Sequence, residues 1–215
     1  MLPIGDDDSG RRTVPLVTYA LIILNVLFFL VELNGGDAFI MKWAFVPSRF
    51  LANPAGDFQT IFTSMFMHAG WVHLGGNMLY LWIFGDNVED RFGHGKFIIF
   101  YLLCGVAATF AQLAFSTGSN VPNLGTSGAI AGVLGSYILM FPQGRVRVLQ
   151  GQQVIQVSAL IVIGLWIVLQ LFSGIGSIAG AADSGVAYMA HVGGFAAGFV
   201  LTFLFRGNSS PQLTS

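Results

Sequence analysis

The amino-acid sequence predicts an all-α fold, a polytopic bundle of six membrane-spanning helices. Three observations predict it. The chain is 54% hydrophobic and only 9% charged, with mean hydropathy +0.73, whereas a soluble domain carries roughly a quarter charged residues. Too little polar surface remains to face water on all sides. Apolar runs long enough to enter a bilayer recur along the 215 residues, and basic residues gather on alternate connections between them.

The spans fall at 14–33, 72–84 (extendable to 88), 97–115, 127–141, 154–172 and 187–205, so the membrane domain covers 14–205. Arg11 and Arg12 precede the first span as they would a signal peptide. The apolar stretch is too long for an h-region, and no small-x-small cleavage site follows, so it is read as a span. Residues 34–71 form a long first loop holding Trp43, Phe45, Phe50, Phe58, Phe62, Met65, Phe66 and Met67. Such a loop is too apolar to float in water and is expected to pack sideways in the outer leaflet. The fifth loop, 173–186, is rich in Gly, Ala and Ser and reads as mobile. Residues 1–13 and 206–215 read as cytoplasmic tails, disordered over 1–10 and 207–215.

Orientation follows from charge. With the N-terminus inside, inner segments hold Arg11, Arg12, Arg91, Lys96, Arg145, Arg147 and Arg206, and outer loops hold only Lys42 and Arg49. Seven against two predicts both termini in the cytoplasm. The net charge of −1 offers nothing to nucleic acid. Cys104 is the single cysteine and lies in an apolar run, where it reads as a buried thiol with no intrachain disulfide.

Polar side chains in hydrocarbon are costly and need a partner or a purpose. Asn77, Ser127 and His191 stand 14, 18 and 15 residues before the first cytoplasmic arginine of their spans. At 1.5 Å per residue that is about 21 to 27 Å above it, one shared depth below the outer surface of a core about 30 Å thick. The fourth span is too short to cross fully, so its N-terminus is expected to start inside a depression. Around it the sequence reads GTSG: Gly125 permits a tight turn into the helix, and Gly128 removes bulk beside the Ser127 hydroxyl, leaving room for a substrate. Helix N-termini also present free N–H groups to an oxyanion.

Serine needs a base, and His191 is the one histidine in the interior of a span. Gly128 and Gly132 on one helix and Gly194 and Gly198 on the other form a small-xxx-small pairing that brings Ser127 Oγ within hydrogen-bond reach of His191. Neither span carries an Asp or Glu, so the arrangement is a Ser–His dyad, not a triad. His73 and Asn77, spaced i, i+4, share one helix face and aim donors at the oxyanion together with the Ser127 N–H. The scheme needs neither metal nor cofactor. Each feature has a blander meaning: GxSG as packing, a lone histidine as a structural hydrogen-bonder, Asn77 as helix glue. Agreement in depth and chemistry favours the joint reading. Arg91 with Glu89 is expected to anchor the inner boundary. His68 is read as a loop or interface residue and His94 as cytoplasmic. Asn25, Gln112, Gln156 and Gln170 are read as helix–helix contacts or interfacial groups.

These residues resemble the rhomboid intramembrane serine proteases. The likeness spans the membrane core and rests on four ordered motifs: HAGWVHLGGNM (68–78), EDRFG (89–93), GTSG (125–128) and HVGGFAAG (191–198). It implies a compact six-helix fold, Ser127 as nucleophile, His191 as general base, and His73 and Asn77 in the oxyanion hole. It also implies single-span membrane proteins as substrates, cut at small residues in or near the bilayer, and a fifth span with its loop acting as gate and cap. The expected location is a prokaryotic cytoplasmic membrane. Two positions depart from many members: Gln59 and Thr60 replace a Trp-Arg pair in the first loop, and Ala131 replaces an aromatic residue four positions after the nucleophile. The alternative is a rhomboid-like protein that binds membrane helices without cutting them; loss of Ser127 or His191 marks that class, and both are present. A proton-coupled transporter is disfavoured, because no acidic residue is expected deep in a span.

Overall fold

A computed structural model describes residues 2–7, 9–178 and 187–206. In chain order it begins with strand β1 (Leu2–Gly5) and helix α1 (Leu16–Trp43), followed by three short helices, α2 (Pro47–Ala52), α3 (Pro54–Asp57) and α4 (Thr60–Thr63), and a 3₁₀ turn at Ser64–Phe66. Helices α5 (Trp71–Phe92), α6 (His94–Phe115) and α7 (Ser127–Met140) come next. Strands β2 (Arg145–Gln150) and β3 (Gln153–Ser158) lead into α8 (Ala159–Ile178) and α9 (Tyr188–Phe205). Four of the helices, α1, α6, α8 and α9, are long and apolar enough to cross a membrane. Helix α7 is apolar but has only 14 residues, and α5 ends in the charged run Asp86, Glu89, Asp90 and Arg91. The architecture is a helical polytopic membrane fold.

Helix α7 is the hub. Every residue from Gly128 to Tyr137 is buried, as expected of a helix apolar on all sides. Its glycines bring backbone against backbone. A Cβ added at Gly194 would lie 2.0 Å from the Gly128 carbonyl oxygen, and one at Gly198 would lie 2.0 Å from that of Gly132. The small-xxx-small pairing thus packs α7 on α9. Gly128 also serves helix packing: a Cβ there would strike Ala108 Cβ of α6 at 2.5 Å.

Three expectations need correction. Within the expected tail 1–10, residues 2–5 are strand β1 and not a free end. β1 pairs antiparallel with β2, and β2 with β3, in one sheet of order β1-β2-β3. Asp6 then accepts hydrogen bonds from Asn87 Nδ2 at 2.8 Å and Tyr137 Oη at 2.7 Å, tying this segment to α5 and α7. Residues 154–158, assigned to the fifth span, belong to β3, and residues 173–178, assigned to the fifth loop, are the last turns of α8. The rest of that loop, 179–186, and the tail 207–215 lie outside the described residues. Finally, α1 runs on to Trp43, bending at Gly36, whose φ of 58° and ψ of −156° suit glycine alone.

The first loop is packed rather than solvated. Phe45, Phe50 and Ile61 bury themselves with Leu113 of α6 in a second small core. Arg49 anchors it where the Trp-Arg pair is missing, donating to Asp57 Oδ1 at 2.9 Å, to the Ala44 carbonyl at 2.6 Å and to the Met41 carbonyl. At the other end Glu89, fully buried, accepts from the free backbone N–H groups of Val17 (2.9 Å) and Thr18 (2.7 Å) in the first turn of α1. Glu89 also takes the Thr18 hydroxyl at 2.6 Å and His94 Nδ1 at 2.5 Å. Arg91 is not its partner; that guanidinium sits over the Phe141 ring, 5.2 Å from its centroid.

Candidate active site

Ser127 is the first residue of α7. The turn before it requires glycine: Gly125 has φ 125°, and a Cβ there would meet the His73 ring at 2.9 Å. Its N–H donates to the Ser64 carbonyl at 2.9 Å, fixing the turn to the first loop. Thr126 is buried and bonded through its hydroxyl to Tyr101 of α6. Ile130 N–H is the first in the helix to find an intrahelical acceptor, at Thr126, so the N–H groups of 127–129 point out of the helix start without one.

His191, in the first turn of α9, places Nε2 at 2.7 Å from Ser127 Oγ. The two residues are 64 apart in sequence, and the glycine contact between α7 and α9 makes the distance possible. Ser127 and His191 therefore share one level, as their distances from the inner arginines predict.

On α5, His73 lies against the Gly125 turn, its Nε2 3.1 Å from where a Cβ would stand. Its Nδ1 lies 3.4 Å from Ala69 N–H, a long contact that favours the tautomer protonated on Nε2, the nitrogen facing the turn. Asn77, one turn further along α5, is buried, and its Nδ2 has no partner. An unpaired buried donor is rare enough to need a reason, and a functional one is common. A cavity of about 40 Å³ adjoins Ser127, bordered by Gly105, Ala108 and Thr109 of α6, Gly125 and Gly128, and Ala190.

Four residues here were not read from the sequence as part of the site. Gln170 of α8, expected to be a helix contact, brings Oε1 to 2.6 Å from His191 Nδ1. Trp166, one turn earlier, lies with its ring centroid 5.5 Å from that of His191, tilted 39°. These two side chains flank the imidazole where Ala131 leaves no aromatic ring. A signal existed: Gln170 is the one amide between Ala159 and Phe172 in an otherwise apolar helix, and it shares a face with Trp166. Behind His73, His68 lies in the connection before α5, as expected, and is buried there with its ring 5.2 Å from that of His73. Its N–H donates at 2.9 Å to Glu32, a carboxylate 3% exposed near the outer end of the first expected span. Gln112 behaves as expected, its Oε1 accepting from Ala190 N–H at 3.2 Å between α6 and α9.

Comparison with known proteins points to one family. A family model described as Rhomboid domain matches residues 55–208. Rhomboid protease GluP of Bacillus subtilis is 31% identical over 189 residues, covering 86% of this chain and 34% of the relative. Rhomboid protein 1, mitochondrial, of Saccharomyces cerevisiae is 30% identical, covering 60% of this chain and 38% of its own. Presenilin-associated rhomboid-like protein, mitochondrial, of Homo sapiens is also 30% identical, with 66% of this chain and 36% of its own covered. The chain thus spans about a third of the length of each of these relatives.

Proposed function

Because the chain belongs to the rhomboid family, we propose that it is an intramembrane serine endopeptidase that cuts single-span membrane proteins within or beside the bilayer. The observation that carries this reading is the 2.7 Å contact between Ser127 Oγ and His191 Nε2 at the start of a buried helix. Ser127 attacks the scissile carbonyl carbon while its proton passes to Nε2. The carbonyl oxygen becomes an oxyanion held by the Ser127 N–H, His73 Nε2–H and Asn77 Nδ2–H. The imidazolium then gives its proton to the departing amine, leaving an acyl-enzyme. Water, deprotonated by the same nitrogen, releases the acyl chain and restores Ser127.

The cavity beside Ser127 sets the substrate side chain. Its volume of about 40 Å³, bounded by Phe45, Met65 and Gln112 as well as by Gly, Ala and Thr residues, favours a small residue before the cut. The termini face the cytoplasm, on the strength of the seven-to-two distribution of basic residues, and the membrane proposed is a prokaryotic cytoplasmic one.

The purified protein in detergent or lipid is incubated with a panel of single-span membrane proteins differing at small residues. Cleavage of at least one, lost in Ser127→Ala, is the expected result. Binding without cleavage across the panel would instead favour a helix-binding, non-catalytic protein.

A further inference from the structure

We infer that Gln170 is a positioning residue for His191, so that the base is completed by a side chain of α8. The inference rests on the proposed role of His191 as base and assigns what holds it. A neutral imidazole carries one proton on either of two nitrogens, and only the form with a bare Nε2 can take the proton of Ser127. At 2.6 Å, Gln170 Oε1 is an acceptor facing Nδ1, which fixes the proton there and leaves Nε2 bare toward Ser127 Oγ at 2.7 Å. Oε1, Nδ1, Nε2 and Oγ form one continuous chain of two hydrogen bonds. The geometry matches that of a carboxylate in a three-residue hydrolase site, with a neutral amide in its place.

Two features of α8 support this. An amide in hydrocarbon needs a partner, and within the apolar stretch of α8 Gln170 finds one in His191. Trp166, on the same face, stacks obliquely on the imidazole at 5.5 Å and prevents the ring from turning out of line. Helix α8 is also the least buried of the four membrane-length helices, with 17% of its apolar window inside the fold against 28–39% for the others. An exposed helix therefore carries the side chains that hold the base.

The test reads the proton directly. In protein labelled with ¹⁵N at histidine, with the His191 signals identified by their loss in His191→Ala, Nδ1 is expected to be protonated and Nε2 bare at neutral pH. In Gln170→Leu the protonated nitrogen is expected to redistribute toward Nε2. The rate of phosphonylation by a fluorophosphonate, in which Ser127 Oγ bonds to phosphorus and fluoride leaves, should fall by about 10-fold or more in the same variant, part of what a general base supplies. Gln170→Glu, which restores an acceptor at the same reach, should recover the rate, which a purely structural role would not predict. A wild-type His191 with its proton on Nε2 would overturn the proposal, and this measurement needs no Gln170 variant to fold. Equal phosphonylation rates in wild type and Gln170→Leu would overturn it too, leaving the Ser–His reading intact. A wild type that is not phosphonylated at all would sink the underlying reading instead.

Discussion

Substituting Gly194 by alanine adds one methyl group three residues from His191, and the structure gives its consequence in ångströms. The new Cβ would stand 2.0 Å from the Gly128 carbonyl oxygen, 2.9 Å from its carbonyl carbon and 3.3 Å from its Cα. All three atoms are backbone, so no rotamer change relieves the clash. Restoring an ordinary 3.4 Å contact means moving α9 from α7 by 1.4 Å along that line. The 2.7 Å bond between Ser127 and His191 spans the same interface and would open toward about 4 Å, beyond hydrogen-bond reach. Overpacking costs about 1–3 kcal/mol of stability, and a misplacement near 1 Å costs about 100-fold in rate. Gly194→Ala is thus expected to lower the thermal midpoint and to slow fluorophosphonate labelling by about two orders of magnitude. Gly95→Ala and Gly164→Ala, whose added methyl groups meet nothing within 4 Å, should leave both unchanged. Labelling of Gly194→Ala at the wild-type rate would refute the claim that this glycine contact sets the Ser127–His191 distance.

Three further outcomes follow from the same structure. Asn77→Ala should lower kcat by about 10- to 1000-fold with folding intact, as removal of one oxyanion donor does; a variant with normal kcat and a lower thermal midpoint would make Asn77 a packing residue. Glu89→Gln puts an amide nitrogen where a carboxylate accepts the N–H groups of Val17 and Thr18, and should cost about 1–3 kcal/mol in unfolding experiments. A thermal midpoint equal to that of the wild type would show that the start of α1 does not depend on it. Reporter fusions after Arg145 and Arg206 should read cytoplasmic and one near Asn120 external; an external signal at Arg206 would reverse the proposed orientation.

Much of this was legible in the sequence because the bilayer imposes a simple rule. The apolar runs mark the cores of the long helices, and the glycine pairs on α7 and α9 mark where two backbones touch. What escaped lies where that rule gives no guidance. Arg145-Val-Arg-Val alternates with period two, and Gln150 pairs with Gln153 across a Gly151-Gln152 turn in which Gly151 has φ 63°. The hairpin was masked because Val154, Ile155 and Val157 of its second strand run straight into the apolar stretch of α8. Helix α1 outlasts its apolar run because Glu32 finds the His68 N–H and Gly36 absorbs a bend, neither visible as periodicity. Gln170 escaped for another reason. Its chemistry is that of an ordinary helix contact, and only the distance to His191 Nδ1 separates a structural amide from one that holds a base.

The central claim is that His191 activates Ser127, and a fluorophosphonate probe measures that activation without a known substrate. The wild type in lipid should be labelled at Ser127, located by peptide mass spectrometry. Labelling should be abolished in Ser127→Ala, strongly reduced in His191→Ala and unaffected by EDTA, since no metal takes part in the proposed reaction. Ser116, Ser119, Ser158 and Ser173 should stay unmodified. Persistent labelling of Ser127→Ala, or a wild type that remains unlabelled in lipid and in several detergents, would contradict the account.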